Sequence, residues 1–182
     1  DNAFYFDVDA LDKTPAITAL KKQFGVGEEL IEAYFQPYLY LNHELIRERK
    51  LDLAEVEAAI VDELMKFEGV AYAVSSSALQ LGNLPDTRMV RSIRSNFHAK
   101  RSGDIYLVFE PNVFINDFDG LTVAATHGSP WRYDTFVPVM FAGAGLPATT
   151  VSRPVTPYDI APTLAAYLGI KPPSGAIANP LS

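Results

Sequence analysis

The stretch Thr126–Pro138 combines several residue types that can carry chemistry. It contains His127, which is one of three histidines, and Trp131, which is the only tryptophan of the chain. Gly128 interrupts the backbone, and the apolar run Val137–Ala142 follows directly. This order predicts a polar loop that leads into a buried strand. Binding and catalytic groups often lie on such loops because the strand holds them rigidly.

The other candidate residues give weaker signals. Neither His43 nor His98 has a second histidine or a carboxylate at a metal-binding spacing such as HExxH, so surface roles are expected. Ser129 lies two residues after His127, but the Gly-x-Ser-x-Gly turn of serine hydrolases is missing. Taken by itself, His127 leaves two interpretations open, namely a loop histidine that makes hydrogen bonds and a metal ligand.

Three arginines, Arg88, Arg91 and Arg94, recur at a spacing that places them on a shared face of a predicted helix. Such a run usually forms a solvated face, and this is the favoured interpretation. An anion-binding site is the alternative.

The composition is that of a globular protein. A chain of 182 residues with 48% hydrophobic and 20% charged residues can bury one core plus a small subdomain. The net charge of −7 argues against a general nucleic-acid binder, and cysteine is absent, which excludes disulfides and thiolate metal sites. No apolar run approaches the roughly 20 residues that span a bilayer. The chain begins with Asp1 rather than methionine, which fits a mature product or a piece of a longer chain.

Periodicity and capping residues predict the secondary structure. The expected strands are a short one around Phe4–Val8, then Pro37–Asn42, Val70–Ser75, Gly103–Phe109 and an extended piece at 112–117. The expected helices are one that starts at Thr14-Pro15 and stops at Gly25, then Glu28–Phe35, Leu53–Phe67, one that starts after Thr87, and one that follows Asp159 and ends at Leu168.

Alternation of strands with amphipathic helices predicts an α/β fold with a mixed sheet, either ferredoxin-like or a split α/β module. The turn-rich stretch Asp117–Gly120 is the expected seam. It divides the chain into a subdomain over residues 1–117 and a C-terminal segment over residues 118–182.

Several motifs resemble one family. His127-Gly128-Ser129, Tyr133-Asp134 and Val137-Pro138 look like the C-terminal metal-binding segment of the alkaline phosphatase superfamily, in its type I phosphodiesterase/nucleotide pyrophosphatase branch. The later motifs that also resemble it are Tyr158–Leu164, Leu168-Gly169-Ile170, Ser174-Gly175 and Asn179-Pro180-Leu181. The resemblance implies the C-terminal portion of an alkaline-phosphatase-like fold, and it is specific from Thr126 onward.

The resemblance also implies roles for two residues. His127 matches the histidine that binds one of two zinc ions in this family, and two metals can hold the attacking and leaving oxygens of a phosphoryl transfer. Asp134 is expected either to orient the loop from outside the metal shell or to act as a structural cap. No catalytic residue is identified in this chain.

The family pattern is incomplete here. The family's first aspartate ligand, its threonine or serine nucleophile, its Asp-x-x-x-His pair and its Asp-His pair are not recognisable. We therefore expect the C-terminal part of a longer zinc-dependent phosphatase or phosphodiesterase, which hydrolyses phosphate esters and is periplasmic or secreted, as relatives commonly are. Alone, this chain should bind zinc weakly and be inactive, because the missing N-terminal portion supplies the other ligands.

A second class of function is also compatible with the sequence. The chain can be a stand-alone ferredoxin-like binding module in which the His127 loop has only a structural role. The enzyme-part interpretation predicts an exposed apolar patch where the rest of the enzyme packs, and the module does not.

Overall fold

The computed structural model of the chain describes residues 3–115 and 127–181. It divides into two units, Asp1–Thr135 and Phe136–Ser182. The predicted seam at 117–120 lies outside the described residues, so the expected boundary after residue 117 stays a prediction.

The first unit is built from six strands and six α-helices in its described part. The strands are β1 (Phe4–Phe6), β2 (Ile31–Phe35), β3 (Tyr38–Leu41), β4 (Val70–Ser75), β5 (Ile105–Phe109) and β6 (Val113–Ile115). The helices are α1 (Pro15–Gln23), α2 (His43–Glu48), α3 (Leu53–Leu64), α4 (Ser76–Leu81), α5 (Arg88–Asn96) and α6 (Arg132–Thr135).

The strands form two groups. Four of them make an antiparallel sheet in the order β2-β3-β5-β4, and β1 pairs with β6 in parallel. Helices and strands of both directions therefore occur together, which confirms the predicted α/β class with mixed strand directions.

Helices cover both faces of the four-stranded sheet. Successive side chains of a strand point to opposite faces. Leu107 of β5 accordingly joins the larger apolar cluster with Ile60 of α3. Its neighbour Tyr106 joins a second cluster with Ile93 of α5. The central strand β5 is thus buried on both faces.

Local capping signals place the helices where the sequence predicts them. The side chain of Thr14 accepts from the Ile17 amide at 3.4 Å, and that of Thr87 accepts from Val90 at 3.2 Å. Asp52 caps α3 in the same way, at 3.0 Å from the Glu55 amide. Such caps satisfy amides that have no partner within the helix.

The helix predicted over Glu28–Phe35 is wrong, because this segment contains β2. A buried carboxylate explains the difference. Asp12 Oδ1 accepts from the amides of Leu30 and Ile31, at 2.9 Å each. These contacts hold the backbone extended as it enters the pairing with β3.

The second unit contains one α-helix in its described part, α7 (Ile160–Leu168), preceded by a 3₁₀ turn at Pro157–Asp159. The prediction of this helix is confirmed. Gly169 ends it with φ of 64°, a conformation that suits glycine. Asp159 is the residue before the helix, but its carboxylate accepts from the Thr156 amide at 2.7 Å rather than from a helix amide.

The strand predicted over Val137–Ala142 is wrong. The segment is irregular, and Val137 and Met140 are 60% and 84% exposed. A strand needs a partner for its backbone groups, and the described part of the chain provides none here. The His127 loop therefore leads into α6 and an exposed apolar segment rather than into a buried strand.

Candidate functional site

His127 lies on the surface, at a cleft of about 270 Å³ in the first unit. The cleft lies between the turn that joins β2 to β3, the end of β5 with the following β6, and residues 127–134. His127 is exposed rather than turned into the core. An exposed position leaves both interpretations of His127 open, the loop histidine and the metal ligand.

Gln36, in the turn between β2 and β3, holds the backbone of the loop. Its Nε2 donates to the carbonyl oxygen of His127 at 3.3 Å. The next residue, Gly128, has φ of 108°, and a Cβ added there would lie 3.3 Å from the same Nε2. The positive φ favours glycine here. A Cβ would also crowd the Gln36 amide, which would have to move by a few tenths of an ångström.

Asp134 fixes the other side of the loop. Its Oδ2 accepts from the Ser129 amide at 2.6 Å. Burial is the largest influence on this carboxyl and raises its pKa, but the Ser129 amide, the Gly128 amide and the nearby His127 together lower the pKa below its ordinary value of 3.8. Asp134 is therefore a carboxylate that ties the segment after His127 into a turn.

The Ser129 hydroxyl is buried, and within the described residues it makes no hydrogen bond. It lies near enough to the Asp134 carboxylate to favour its charged form, yet outside hydrogen-bond geometry. A serine nucleophile needs an adjacent base that takes its proton. The geometry agrees with the sequence in giving no support to a serine hydrolase.

Trp131 attaches α6 to the sheet. Its Nε1 donates to the carbonyl oxygen of Phe109 at 2.8 Å. Its own carbonyl oxygen accepts from the amides of Asp134 at 3.1 Å and Thr135 at 3.0 Å. The loop is consequently anchored at the end of β5, the most buried strand. The sequence singled out Trp131 as unique but did not indicate this anchoring role or that of Gln36.

The other two histidines do not line the cleft. His43 Nε2 lies 2.8 Å from Oδ1 of the buried Asp104, whose Oδ2 accepts from the Leu41 amide at 2.7 Å. His98 Nδ1 accepts from the Lys100 amide at 3.2 Å. Both histidines are exposed, which agrees with the expected surface roles. The partner of His43 is 61 residues away, so this contact could not be predicted from the local sequence.

The arginines of α5 make different contacts. Arg91 Nη1 pairs with the Asp86 carboxylate at 2.9 Å on the surface. Arg88 Nη2 instead donates to the Thr135 hydroxyl of α6 at 3.0 Å. Arg88 therefore faces the helix that follows the His127 loop.

Among the side chains at the cleft, the His127 imidazole is of a type that zinc binds. Zinc is held by imidazole nitrogen and carboxylate oxygen, with three or four protein ligands. Over residues 3–115 and 127–181, no group of three or more histidine, aspartate or glutamate side chains is arranged to hold a metal ion. His127 is exposed and its backbone is fixed, so it suits one coordination position. A zinc site that included His127 would need its other ligands from outside these residues.

Comparison with known proteins identifies relatives much longer than this chain. It is 34% identical over 180 residues to a protein named calcium-transporting ATPase from Myroides odoratus, covering 99% of this chain and 32% of that protein. It is 29% identical over 164 residues to alkaline phosphatase PafA from Elizabethkingia meningoseptica, covering 90% of this chain and 29% of that protein. No family model matches.

The fold agrees with these relatives. The crystal structure of wild-type alkaline phosphatase PafA superposes with a TM-score of 0.77 at 28% identity, covering 97% of this chain and 32% of that chain. The chain thus spans about a third of the length of the relatives it matches. Sequence and fold agree, and the chain belongs to the alkaline phosphatase superfamily.

Proposed function

We propose that the chain is the C-terminal part of a zinc-dependent phosphatase or phosphodiesterase and that His127 supplies one zinc ligand. The observation that carries the proposal is the placement of His127. It is exposed at the cleft, while Gln36 and the Ser129–Asp134 contact fix the backbone on either side of it. Because the backbone is fixed, little backbone freedom is lost when the imidazole binds a metal.

The chemistry follows from what this chain can and cannot provide. Zinc, when bound, would polarise the phosphoryl oxygen and stabilise the negative charge on the oxygens that attack and leave phosphorus. A hydroxyl from the preceding part of the enzyme would attack phosphorus in line. Its proton would go to the alcohol of the ester, which leaves as its P–O bond breaks, and a covalent phosphoryl-enzyme would remain. Water then releases the phosphate. The contribution of this chain is to present the His127 imidazole, with the Asp134 carboxylate holding the turn behind it.

The exposed apolar surface of the second unit supports a larger parent enzyme. Leu168 of α7 is 62% exposed, and Leu164 and Tyr167 of the same helix are 43% and 45% exposed. Val137 and Met140 of the same unit are also exposed large apolar residues, and such surface suits contact with another part of a protein. The preceding part of the parent is the proposed cover, and the isolated chain is proposed to be inactive. A stand-alone module fits less well, because 97% of the chain superposes on part of a longer enzyme.

The proposed substrates are phosphate esters, in keeping with relatives named alkaline phosphatase. The proposed location is the periplasm or the outside of the cell, where this family commonly works. In the described part of the chain, none of the helices has the length and apolar character needed to cross a membrane.

The test is His127→Ala in a full-length enzyme that contains this segment. Zinc per protein should fall, and turnover of a phosphate ester should fall about 100-fold or more, since even outer-shell changes at metal sites cost 10- to 100-fold. His98→Ala is the matched control and should leave both unchanged. Unaltered zinc content and turnover in His127→Ala would refute the proposal.

A further inference from the structure

The parallel pair of β1 and β6 is a small piece of sheet that stands apart from the four-stranded one. Each strand has three residues, and in the described part of the chain neither pairs with any other strand. Parallel pairing is slightly less stable per residue than antiparallel pairing, and parallel sheets occur almost only with both faces covered. Even a two-stranded antiparallel hairpin is marginal in water. The β1–β6 pair is therefore not expected to be a complete sheet.

One face of the β1–β6 pair is already covered. Successive side chains of a strand point to opposite faces. Phe6 and Ile115, which lie opposite each other in the pairing, are buried in the larger apolar cluster. Phe4 and Val113, the opposing residues two positions earlier, pack against the same cluster. This inner face is thus part of the core of the first unit.

The opposite face of the β1–β6 pair is aromatic. Tyr5 and Phe114 lie opposite each other in the pairing, and their ring centroids are 6.1 Å apart. Tyr5 is 43% exposed and Phe114 is half-buried. Phe114 also lines the cleft at which His127 lies. This outer face therefore borders the candidate zinc site.

We infer that β1 and β6 belong to a larger sheet whose other strands come from the preceding part of the parent enzyme, which also covers Tyr5 and Phe114. The chain spans 32% of the PafA chain on which it superposes, so most of that protein lies outside the matched part. A second copy of this chain is a poorer occupant, because the same face borders His127, whose zinc site would need ligands from outside the described residues. The inference rests on the proposed function in one respect, that the chain is part of a longer enzyme, and does not depend on zinc.

The test is hydrogen exchange, measured by mass spectrometry on peptides that contain β1 or β6, in this chain and in a longer protein that includes the preceding part. EDTA in both samples removes metal, so the result is independent of whether His127 binds zinc. The amides of both strands should exchange at least about 100-fold more slowly in the longer protein, because pairing and burial oppose local opening. Equal exchange rates in the two proteins would overturn the inference.

Variants of the longer protein decide whether the aromatic face is the contact. Tyr5→Lys places a charge on that face and should speed the exchange of β6 about 10-fold or more, whereas Tyr5→Phe keeps the ring and should leave it unchanged. Phe35→Lys is the matched control, because Phe35 is 70% exposed on β2 of the other sheet. Equal effects of Tyr5→Lys and Phe35→Lys on β6 would also overturn the inference. The comparison of the two unchanged proteins decides the question even where Tyr5→Lys prevents folding.

Discussion

Asp134 shows how a single carboxylate can define a loop. Its hydrogen bond from Ser129 closes the turn after His127, and its pKa is lowered in the folded chain despite the opposing effect of burial. A carboxyl whose pKa is lowered on folding binds protons more readily in the unfolded chain. Its stabilisation is thus complete above the ordinary value of 3.8 and is lost as pH falls through the lower, folded pKa.

We predict that Asp134→Asn lowers the free energy of unfolding by about 1 kcal/mol at pH 7, because the charge-assisted bond to Ser129 becomes a neutral one. The difference from the unchanged chain should shrink as pH falls below about 4. Chemical denaturation at several pH values measures both effects. Asp9→Asn, at an exposed position, is the control. A difference between Asp134→Asn and the unchanged chain that persists at pH 2 would contradict this account of the loop.

At the candidate site, the sequence could identify the candidate residues but not the contacts that hold them in place. The resemblance pointed to His127 and Asp134 because they lie within a short motif. Gln36 is 91 residues from His127, and no local pattern shows that the turn between β2 and β3 comes to lie beside the loop. The anchoring bond of Trp131 to Phe109 spans 22 residues and is equally invisible in a sequence read locally.

Among the elements, β2 depends most clearly on one distant side chain. Asp12 is buried, accepts from the amides of Leu30 and Ile31, and pairs with Lys21. Removing it leaves two buried amides and one partly buried cation without their acceptor.

We predict that Asp12→Ala lowers the free energy of unfolding by about 3 kcal/mol, measured by urea denaturation. Asp12→Asn should cost less, since its amide oxygen can still accept from one or both backbone groups. An Asp12→Ala chain within about 0.5 kcal/mol of the original would show that the carboxylate does not hold β2.

The difference between local and distant contacts explains which helices and strands could be predicted from the sequence. Helices α3, α5 and α7 carry their information locally, in an apolar stripe and an adjacent cap or stop residue. β2 does not. Glu28 and Glu29, just before it, resemble the first turn of a helix, whereas Asp12, from a distant part of the chain, holds the backbone extended. The run Val137–Ala142 has the composition of a strand, but composition cannot provide a pairing partner.

For the molecule as a whole, the central expectation is that His127 alone cannot hold a zinc ion tightly. We predict that this chain alone binds zinc with a Kd no tighter than about 0.1 mM, because protein zinc sites take three or four ligands. A longer protein that includes the preceding part of the enzyme should bind it far more tightly. Isothermal titration measures both. Tight binding by this chain that is lost in His127→Ala would contradict the expectation of a shared site.

The single tryptophan has a practical consequence. All indole emission from this polypeptide originates at one ring, which is bonded to the end of β5 and stands at the base of α6. Intrinsic fluorescence is therefore a label-free optical reporter of this one corner of the protein. Changes in its wavelength or quenching would report unfolding or rearrangement at the end of β5 and the start of α6, without an added dye.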